Sequence, residues 1–168
     1  EAGGARGGAR PHLDANPNPT GMDGRAKARR LKAGEGLGLI INDYLQLRTS
    51  RGRVESRQLE IAEMSRSLKI LARELQIPVV ALSQLNRGLE SRGDKRPMLS
   101  DLRESGALEQ EAAVVMFLYR DDMYNNESPD KGMAEIIVAK HRSGPTGTTQ
   151  LAFLPQYTRF SDMSRASV

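Results

Sequence analysis

The chain has 168 residues, of which 38% are hydrophobic and none is cysteine, a length and composition typical of one globular domain with its own core. The lack of cysteine excludes disulfides and thiolate metal sites, and no apolar run approaches the roughly 20 residues of a membrane span, so we expect a cytoplasmic protein that makes no membrane contact. The net charge of +4 lies in residues 1–32, which hold seven Lys and Arg against three Asp and Glu, and it suggests an acidic partner.

The amino-terminal part of the chain is rich in residues that favour irregular structure. Residues 1–10 are almost entirely Gly, Ala and Arg, and the stretch that follows is rich in Pro, Gly and Asn. Such segments bury too little apolar surface to offset the entropy of ordering, so we expect a flexible tail and loop over residues 1–24. A short basic helix is predicted over residues 25–32, ended by the glycines of residues 34–38. Residues 163–168 are expected to form a second tail.

The apolar run at residues 39–41 predicts a buried parallel strand, because such strands are continuously hydrophobic. After a polar loop at residues 48–53, residues 55–76 carry apolar side chains at spacings of three and four, which predicts a long amphipathic helix with a solvated charged face. Its expected buried stripe comprises Leu59, Ala62, Ser65, Leu68, Leu71, Ala72 and Leu75. A proline ends this helix, and residues 79–82 are predicted to form a second buried strand.

The second half of the chain contains a polar loop, a short helical segment and further strands. The loop covers residues 86–99, and a turn or short helix is predicted at residues 100–110. Three more segments predict strands at residues 112–119, 134–140 and 148–153, the last two joined by a Gly-Pro turn. Strand–helix–strand alternation followed by late strands predicts an α/β sheet with a hairpin-like end.

Asp43 and Gln84 stand just after the first two predicted strands, at the carboxyl ends where open α/β sheets bind their ligands. A carboxylate in this position suits the Mg²⁺ of a bound nucleotide, held directly or through water. An amide there could contact a phosphate or orient a water, because it both donates and accepts hydrogen bonds. The same spacing fits an Asp that caps the next turn and a Gln that faces solvent, so both interpretations stay open.

Two groups of basic residues are candidates for phosphate contacts. The segment at residues 86–104 contains five cations, Arg87 and Arg103 among them, which suits contact with a nucleic-acid backbone but is also typical of solvated surface. Lys140 and Arg142 are spaced by one residue at the end of a strand, so they project to the same side. The pair could stabilise charge on a γ-phosphate, as an arginine finger does, or form a basic surface cluster.

Other kinds of site lack the residues that they need. The chain has two histidines, too few for a histidine metal site, and it has no G-x-S-x-G motif for a serine nucleophile. It also contains no G-x-x-x-x-G-K-[ST], the motif of a phosphate-binding loop.

Several blocks, in order along the chain, resemble the carboxyl-terminal ATPase domain of bacterial replicative DNA helicases, the DnaB family. They are RAKARRLK (25–32), IINDYLQL (40–47), ESRQLEIAEMSRSLKILARELQIPVVALSQLNRGLE (55–90), DKRPMLSDLRESGALEQ (94–110), VVMFLYRDD (114–122) and AEIIVAKHRSGPTGT (134–148). The resemblance covers most of residues 25–162, and it is specific because all blocks keep the order of the family. It implies a partial RecA-like P-loop NTPase core over residues 25–162, with a mostly parallel sheet and late antiparallel strands.

The resemblance implies ATP and Mg²⁺ as cofactors and four residues at the nucleotide. Asp43 resembles the Walker B aspartate on the magnesium of the nucleotide, and Gln84 resembles the polar residue that couples nucleotide state to the DNA loops. Lys140 and Arg142 resemble the pair that reaches into the nucleotide of the neighbouring subunit.

The resemblance also implies the partners of the protein. The family forms hexameric rings, a homo-oligomer that encircles single-stranded DNA and unwinds duplex in DNA replication. Arg103, Glu104 and Gly106 resemble the central-channel loop that grips the DNA backbone, and Arg87 is a further candidate for DNA contact. A primase and a helicase loader are additional candidate partners.

The sequence also departs from the family pattern. The Walker A loop and catalytic glutamate of the family lie upstream of the residues present here, so we expect this chain to be inactive by itself and to leave sheet edge and core exposed. Asn42 stands where the family has an apolar residue, and a buried amide costs about 1–3 kcal/mol unless it is hydrogen-bonded. The alternative to a helicase subunit is a truncated or divergent non-catalytic module that acts only in subunit or DNA interaction.

Overall fold

The structure is a computed structural model that describes residues 11–14, 22–43 and 54–163; for residues 22–23, 54–58 and 103–106 the description covers the backbone. The predictions for residues 1–10 and 48–53, and nearly all of the carboxyl-terminal tail, lie outside the described residues. Within the described ranges, no helix is long and apolar enough to cross a bilayer.

The chain alternates helices and strands and then ends in four successive strands. The elements are α1 (Met22–Glu35), β1 (Ile40–Asn42), α2 (Val54–Leu75), β2 (Val79–Ala81), α3 (Gly106–Glu111), β3 (Val114–Tyr119), β4 (Met133–His141), β5 (Gly147–Leu154) and β6 (Arg159–Ser161). β1 and β2 form a parallel pair, and the other strands form an antiparallel sheet in the order β3-β4-β5-β6. The predicted α/β architecture with parallel strands followed by antiparallel ones is confirmed, and among the described strands two are parallel and four are antiparallel.

Helix α1 begins three residues before the predicted helix and ends three residues after it. It is followed by Gly36, whose φ of +74° is a left-handed conformation that glycine adopts without steric cost. Two side chains from the predicted amino-terminal loop contact this helix. His12 Nε2 lies 3.2 Å from a carboxylate oxygen of Glu35, and the Asp14 carboxylate lies 3.1 Å from Nζ of Lys27. Part of the predicted loop therefore lies against α1.

Helix α2 supplies the core that lies beside the parallel pair. Leu71 and Leu75 are buried together with Ala28 of α1 and with Ile77, and Ile40 of β1 packs against this cluster. The helix begins and ends one residue earlier than predicted. The agreement is this close because the apolar period and the proline after the helix are strong local signals. Burial of these side chains fixes α1, α2 and β1 against each other.

The predicted apolar stripe of α2 is correct in its second half and wrong at its start. Ser65 and Leu68 are buried, but Leu59 is 62% exposed, and Ile61, which lies outside the predicted stripe, is 4% exposed. Ile61, Ser65 and Leu68 follow the four-and-three spacing of one helix face. Leu59 lies two residues before Ile61, on nearly the opposite side of the helix, so it faces solvent.

Strand β3, predicted as an apolar strand over residues 112–119, begins two residues later and is covered by the described residues on one face only. Phe117 and Tyr119 are buried, whereas Met116 and Leu118 are more than half exposed. Alternate side chains of a strand point to opposite faces of the sheet, and the described residues leave the face with Met116 and Leu118 open. Strand β6 was not predicted, because three residues are too few to show an alternating pattern.

Asn42 ends strand β1 and is 7% exposed. Its Nδ2 is a buried side-chain donor for which the described residues offer no hydrogen-bond partner. Its neighbour along the strand, Ile41, points to the open side of the parallel pair and is 62% exposed. The departure from the family pattern at Asn42 therefore places inside the fold a buried donor, Nδ2, that has no partner among the described residues.

We expect Asn42→Val to raise the free energy of unfolding by about 1–2 kcal/mol, because the substitution removes a buried donor without a partner and valine favours strands. Equilibrium denaturation of wild type and variant measures the difference. The control is Asn126→Val, at an exposed position, which should change the stability by no more than about 0.5 kcal/mol. A loss of stability in Asn42→Val would show that the amide is hydrogen-bonded in the folded protein.

Candidate functional site

The carboxyl ends of β1 and β2 lie at one edge of the parallel pair. Asn42 and Ala81 are register partners, and the amide of Leu82 donates to the Asn42 carbonyl at 3.0 Å. Asp43 directly follows β1, and Gln84 follows β2 by three residues. Both residues are exposed. The structure therefore brings Asp43 and Gln84 to the same edge, as their positions after the two strands predict.

This edge fits a magnesium ion that is carried by a nucleotide better than a metal held by protein ligands alone. Within residues 11–14, 22–43 and 54–163, no group of three or more His, Asp or Glu side chains is placed to hold a metal ion. Asp43 offers one exposed carboxylate, and Mg²⁺ commonly takes one or two protein carboxylates while phosphate oxygens and waters complete its shell. The donor set is thus compatible with the predicted nucleotide-bound magnesium.

Lys140 and Arg142 project to the same side from the end of β4. Nζ of Lys140 donates hydrogen bonds to the backbone carbonyl of Glu109 and, at 3.4 Å, to that of Gln110. Nη2 of Arg142 donates to the same Gln110 carbonyl at 3.3 Å. These carbonyls lie in the last turn of α3, where unpaired carbonyls and the helix dipole favour positive charge. The predicted cation pair is therefore held at the carboxyl end of α3.

The same end of α3 is joined to α2 by an ion pair. Nζ of Lys69 lies 2.5 Å from Oε2 of Glu111, and both side chains are partly buried. The hydrogen bond from Lys69 lowers the pKa of Glu111 below its usual value, and the charges of Arg66 and Arg142 lower this pKa further. The charged face of α2, which was expected to be solvated, makes a tertiary contact through Lys69.

The three residues predicted to form the DNA loop lie at the beginning of α3. Arg103 and Glu104 belong to a 3₁₀ helix, Leu99–Ser105, and Gly106 is the first residue of α3. The structure describes the backbone of these residues, so their contact with DNA stays a prediction. What the backbone establishes is their position, at the opposite end of α3 from Lys140 and Arg142.

Three of the five cations at residues 86–104, here called the basic loop, form hydrogen bonds or ion pairs within the protein. Arg92 makes two hydrogen bonds to the Asp101 carboxylate, at 2.9 and 3.0 Å. Arg96 pairs with Glu135 of β4 at 2.7 Å, and Lys95 donates to two backbone carbonyls of the loop. These three side chains stabilise the loop from within, an arrangement that differs from both sequence-based interpretations, phosphate contact and solvated surface.

Arg87 differs from the other cations of this loop. It is exposed and begins the 3₁₀ helix Arg87–Ser91, which is capped by the Asn86 side chain accepting a hydrogen bond from the Gly88 amide at 3.1 Å. Among the residues that the structure describes, none forms a hydrogen bond or an ion pair with the Arg87 side chain. Arg87 lies three residues after Gln84, so it follows closely after the strand edge that carries Asp43 and Gln84.

One cluster at the end of β3 was missed by sequence analysis. The Tyr119 hydroxyl donates to Asp121 Oδ1 at 2.7 Å, the Arg96 guanidinium lies 5.2 Å from the Tyr119 ring centroid, and Tyr124 stacks on the same ring at 6.0 Å. Burial and the hydrogen bond to Asp121 raise the pKa of Tyr119 to about 12. The inward position of Tyr119, two residues after Phe117, was the available signal; Asp121 and Tyr124 follow within five residues, whereas Arg96 comes from a distant segment.

The turn that follows Arg142 is held by the side chain of His141. Nδ1 of His141 lies 3.2 Å from the Pro145 carbonyl, and a Cβ atom at Gly144 would collide with the imidazole. A larger residue at position 144 would therefore require this ring to move. The contact supports the backbone immediately after Arg142.

The chain matches the model of the DnaB-like helicase C-terminal domain over residues 8–162. It is 58% identical over 153 residues to the replicative DNA helicase DnaB of Leifsonia xyli subsp. xyli, covering 91% of this chain and 34% of that protein. It is 57% identical over 155 residues to the corresponding protein of Geobacillus stearothermophilus, covering 92% of this chain and 34% of that protein. The chain thus spans about a third of the length of these relatives.

Solved structures show the same similarity. One solved ATPase domain matches with a TM-score of 0.74 and 47% identity, over 83% of this chain and 50% of that one. A DnaB-like replicative helicase studied for its interactions with primase matches with a TM-score of 0.76 and 48% identity, over 83% of this chain and 35% of that one. The RadB recombinase, at 16% identity and a TM-score of 0.53, shares the fold alone.

The raised pKa of Tyr119 predicts an alkaline loss of stability. The folded state holds the phenol proton more tightly than the unfolded chain, so the contribution is complete below about pH 10 and is lost as the pH rises toward about 12. We expect Tyr119→Phe to be less stable than wild type by about 1 kcal/mol at neutral pH, since it lacks the hydrogen bond to Asp121, and this difference should shrink across the alkaline range.

Denaturation at a series of pH values measures this difference directly. Tyr157→Phe is the matched control, because Tyr157 is 72% exposed and its loss should leave the pH profile of wild type unchanged. A difference between wild type and Tyr119→Phe that stays constant from neutral pH to about pH 12 would contradict the assignment.

Proposed function

The chain belongs to the family of DnaB-like helicase C-terminal domains, and we propose that it forms part of a replicative DNA helicase that couples ATP hydrolysis to translocation on single-stranded DNA and to duplex unwinding. The observation that carries the proposal is the position of Asp43 and Gln84 at one carboxyl edge of the parallel pair, where α/β sheets bind nucleotides. The high identity to replicative helicases over nine-tenths of the chain supports it. In this role the protein acts in the cytoplasm as a homo-oligomeric ring, a hexamer.

At the nucleotide, Asp43 and Gln84 have different tasks. Asp43 would contact the Mg²⁺ of bound ATP, and the magnesium supplies stabilisation of the negative charge on the phosphates. Gln84 both donates and accepts hydrogen bonds, so its amide can respond to the presence or absence of a γ-phosphate. Both residues lie at the carboxyl edge of the parallel pair, so one nucleotide can contact both side chains.

Lys140 and Arg142 supply positive charge to the nucleotide of the neighbouring subunit. Arg142 uses Nη2 on the Gln110 carbonyl, and its guanidinium has further donors with which to contact a phosphate. A cation supplied in this way stabilises charge in the transition state of phosphoryl transfer. Because each site then needs residues from two subunits, hydrolysis depends on assembly.

We assign contact with single-stranded DNA to residues at the beginning of α3 and in the basic loop. Arg103, Glu104 and Gly106 form the proposed DNA loop, and exposed Arg87 is a further contact. Positive charge and backbone amides suit phosphate contacts, which hold a strand without reading its sequence. A primase and a helicase loader are the proposed protein partners, the first supported by similarity to the helicase studied with primase.

The division of roles between subunits can be tested in the complete protein that contains this chain. We expect Asp43→Ala and Arg142→Ala each to lower DNA-stimulated ATP hydrolysis by about 10³-fold or more. When the two variants are mixed before ring assembly, part of the activity should return, because Asp43 of one subunit and Arg142 of its neighbour still form an intact site. Phosphate release with and without single-stranded DNA is the measurement.

The matched control is Arg73→Ala, an exposed arginine near the end of α2, which should hydrolyse ATP at the wild-type rate. If mixing restores nothing, Arg142 does not act across the subunit boundary. If neither Asp43→Ala nor Arg142→Ala lowers hydrolysis, the chain is a non-catalytic interaction module.

A further inference from the structure

Helix α3 connects two of the proposed sites within six residues. Its first residue, Gly106, belongs to the proposed DNA loop. Its last turn presents the Glu109 and Gln110 carbonyls, which accept hydrogen bonds from Lys140 and Arg142. Six residues of α-helix are about 9 Å long. A helix this short moves as one body, so its two ends cannot shift independently.

The carboxyl end of α3 is held from two directions. On the α2 side, Lys69 and Glu111 form the 2.5 Å ion pair. On the β4 side, the segment just after α3 is joined to the backbone of the cation pair, because the Arg142 amide donates to the Ala113 carbonyl at 2.9 Å. A displacement of this end of α3 therefore moves both the carbonyls and the backbone that hold Lys140 and Arg142.

We infer that α3 couples the DNA loop at residues 103–106 to the Lys140–Arg142 pair, and that the Lys69–Glu111 contact positions the end of α3 for this coupling. The inference rests on the proposed function, since it assigns a physical route between two sites proposed there. Lys69 and Glu111 are positioning residues that act through α3. Coupling between binding sites is reciprocal, so DNA should change nucleotide affinity by the same factor by which nucleotide changes DNA affinity.

The protein contains a matched ion pair that does not involve α3. Arg29 of α1 and Glu74 of α2 form hydrogen bonds between their side chains, one of them at 3.0 Å. The hydrogen bond from Arg29 lowers the pKa of Glu74, as the hydrogen bond from Lys69 does for Glu111. Both pairs join α2 to another helix, but the Arg29–Glu74 pair contacts α1 and leaves α3 untouched.

The test uses Glu111→Gln and Glu74→Gln in the complete protein. We measure the ratio of ATP hydrolysis with single-stranded DNA to hydrolysis without it, and the affinity for a non-hydrolysable ATP analogue with and without DNA. Glu111→Gln should lower the hydrolysis ratio by about threefold or more and should weaken the effect of DNA on analogue affinity. Glu74→Gln should keep both at the wild-type value, and hydrolysis without DNA should be unchanged in both variants.

Lys69→Met provides an independent variant that decides the question if Glu111→Gln does not fold. The double variant Lys69→Met/Glu111→Gln should lose no more coupling than either single variant, because all three lack the same ion pair. A wild-type ratio in the α3-contact variants, or an equal loss in Glu74→Gln, overturns the inference alone. Wild-type protein without any DNA-stimulated hydrolysis overturns the proposed function, and the inference falls with it.

Discussion

The carboxyl end of α3 is where positive side chains from α2 and β4 meet two backbone carbonyls and one carboxylate. Lys69 reaches it from α2, and Lys140 and Arg142 reach it from β4. Since α2 also buries its apolar face beside β1, this meeting point joins the parallel pair to the antiparallel sheet. A cation at a helix carboxyl end contributes about 0.3–1 kcal/mol, or about 2 kcal/mol when partly buried. Contacts of this strength hold a resting arrangement and still yield to a phosphate, which forms stronger charge-assisted hydrogen bonds.

The basic loop shows how the tertiary structure divides cations between stability and function. Arg92 and Arg96 are each paired with a carboxylate through two hydrogen bonds. Such paired guanidinium groups attract a new anionic ligand more weakly, because the carboxylate already balances their charge. Arg87 has no such contact among the described residues and keeps its charge at the surface. The number of basic residues in a segment therefore overstates the charge that the segment offers to nucleic acid.

Prediction from sequence succeeded where short-range rules decide the structure. The ends of α2 are set by a 3.6-residue apolar period and a following proline, so the helix was predicted to within a residue at each end. Leu59 and Ile61 show the limit of the same rule, because both are apolar and only packing decides which of them faces the core. The burial of β3 on one face likewise does not follow from its sequence, because a continuous apolar run is typical of a strand covered on both faces, whereas the described residues cover one.

The amino-acid sequence was sufficient for the order of the elements up to β5, the family, and the local placement of the candidate residues: Asp43 and Gln84 after strands, and Lys140 and Arg142 on one side of a strand end. These follow from chain geometry within a few residues. The pairing of each charge with its partner emerged from the folded arrangement. Arg96 and Glu135 are 39 residues apart, and Lys69 and Glu111 are 42 residues apart. The energy of a charge pair depends on separation in space, and sequence spacing does not specify that distance once the chain has folded back on itself.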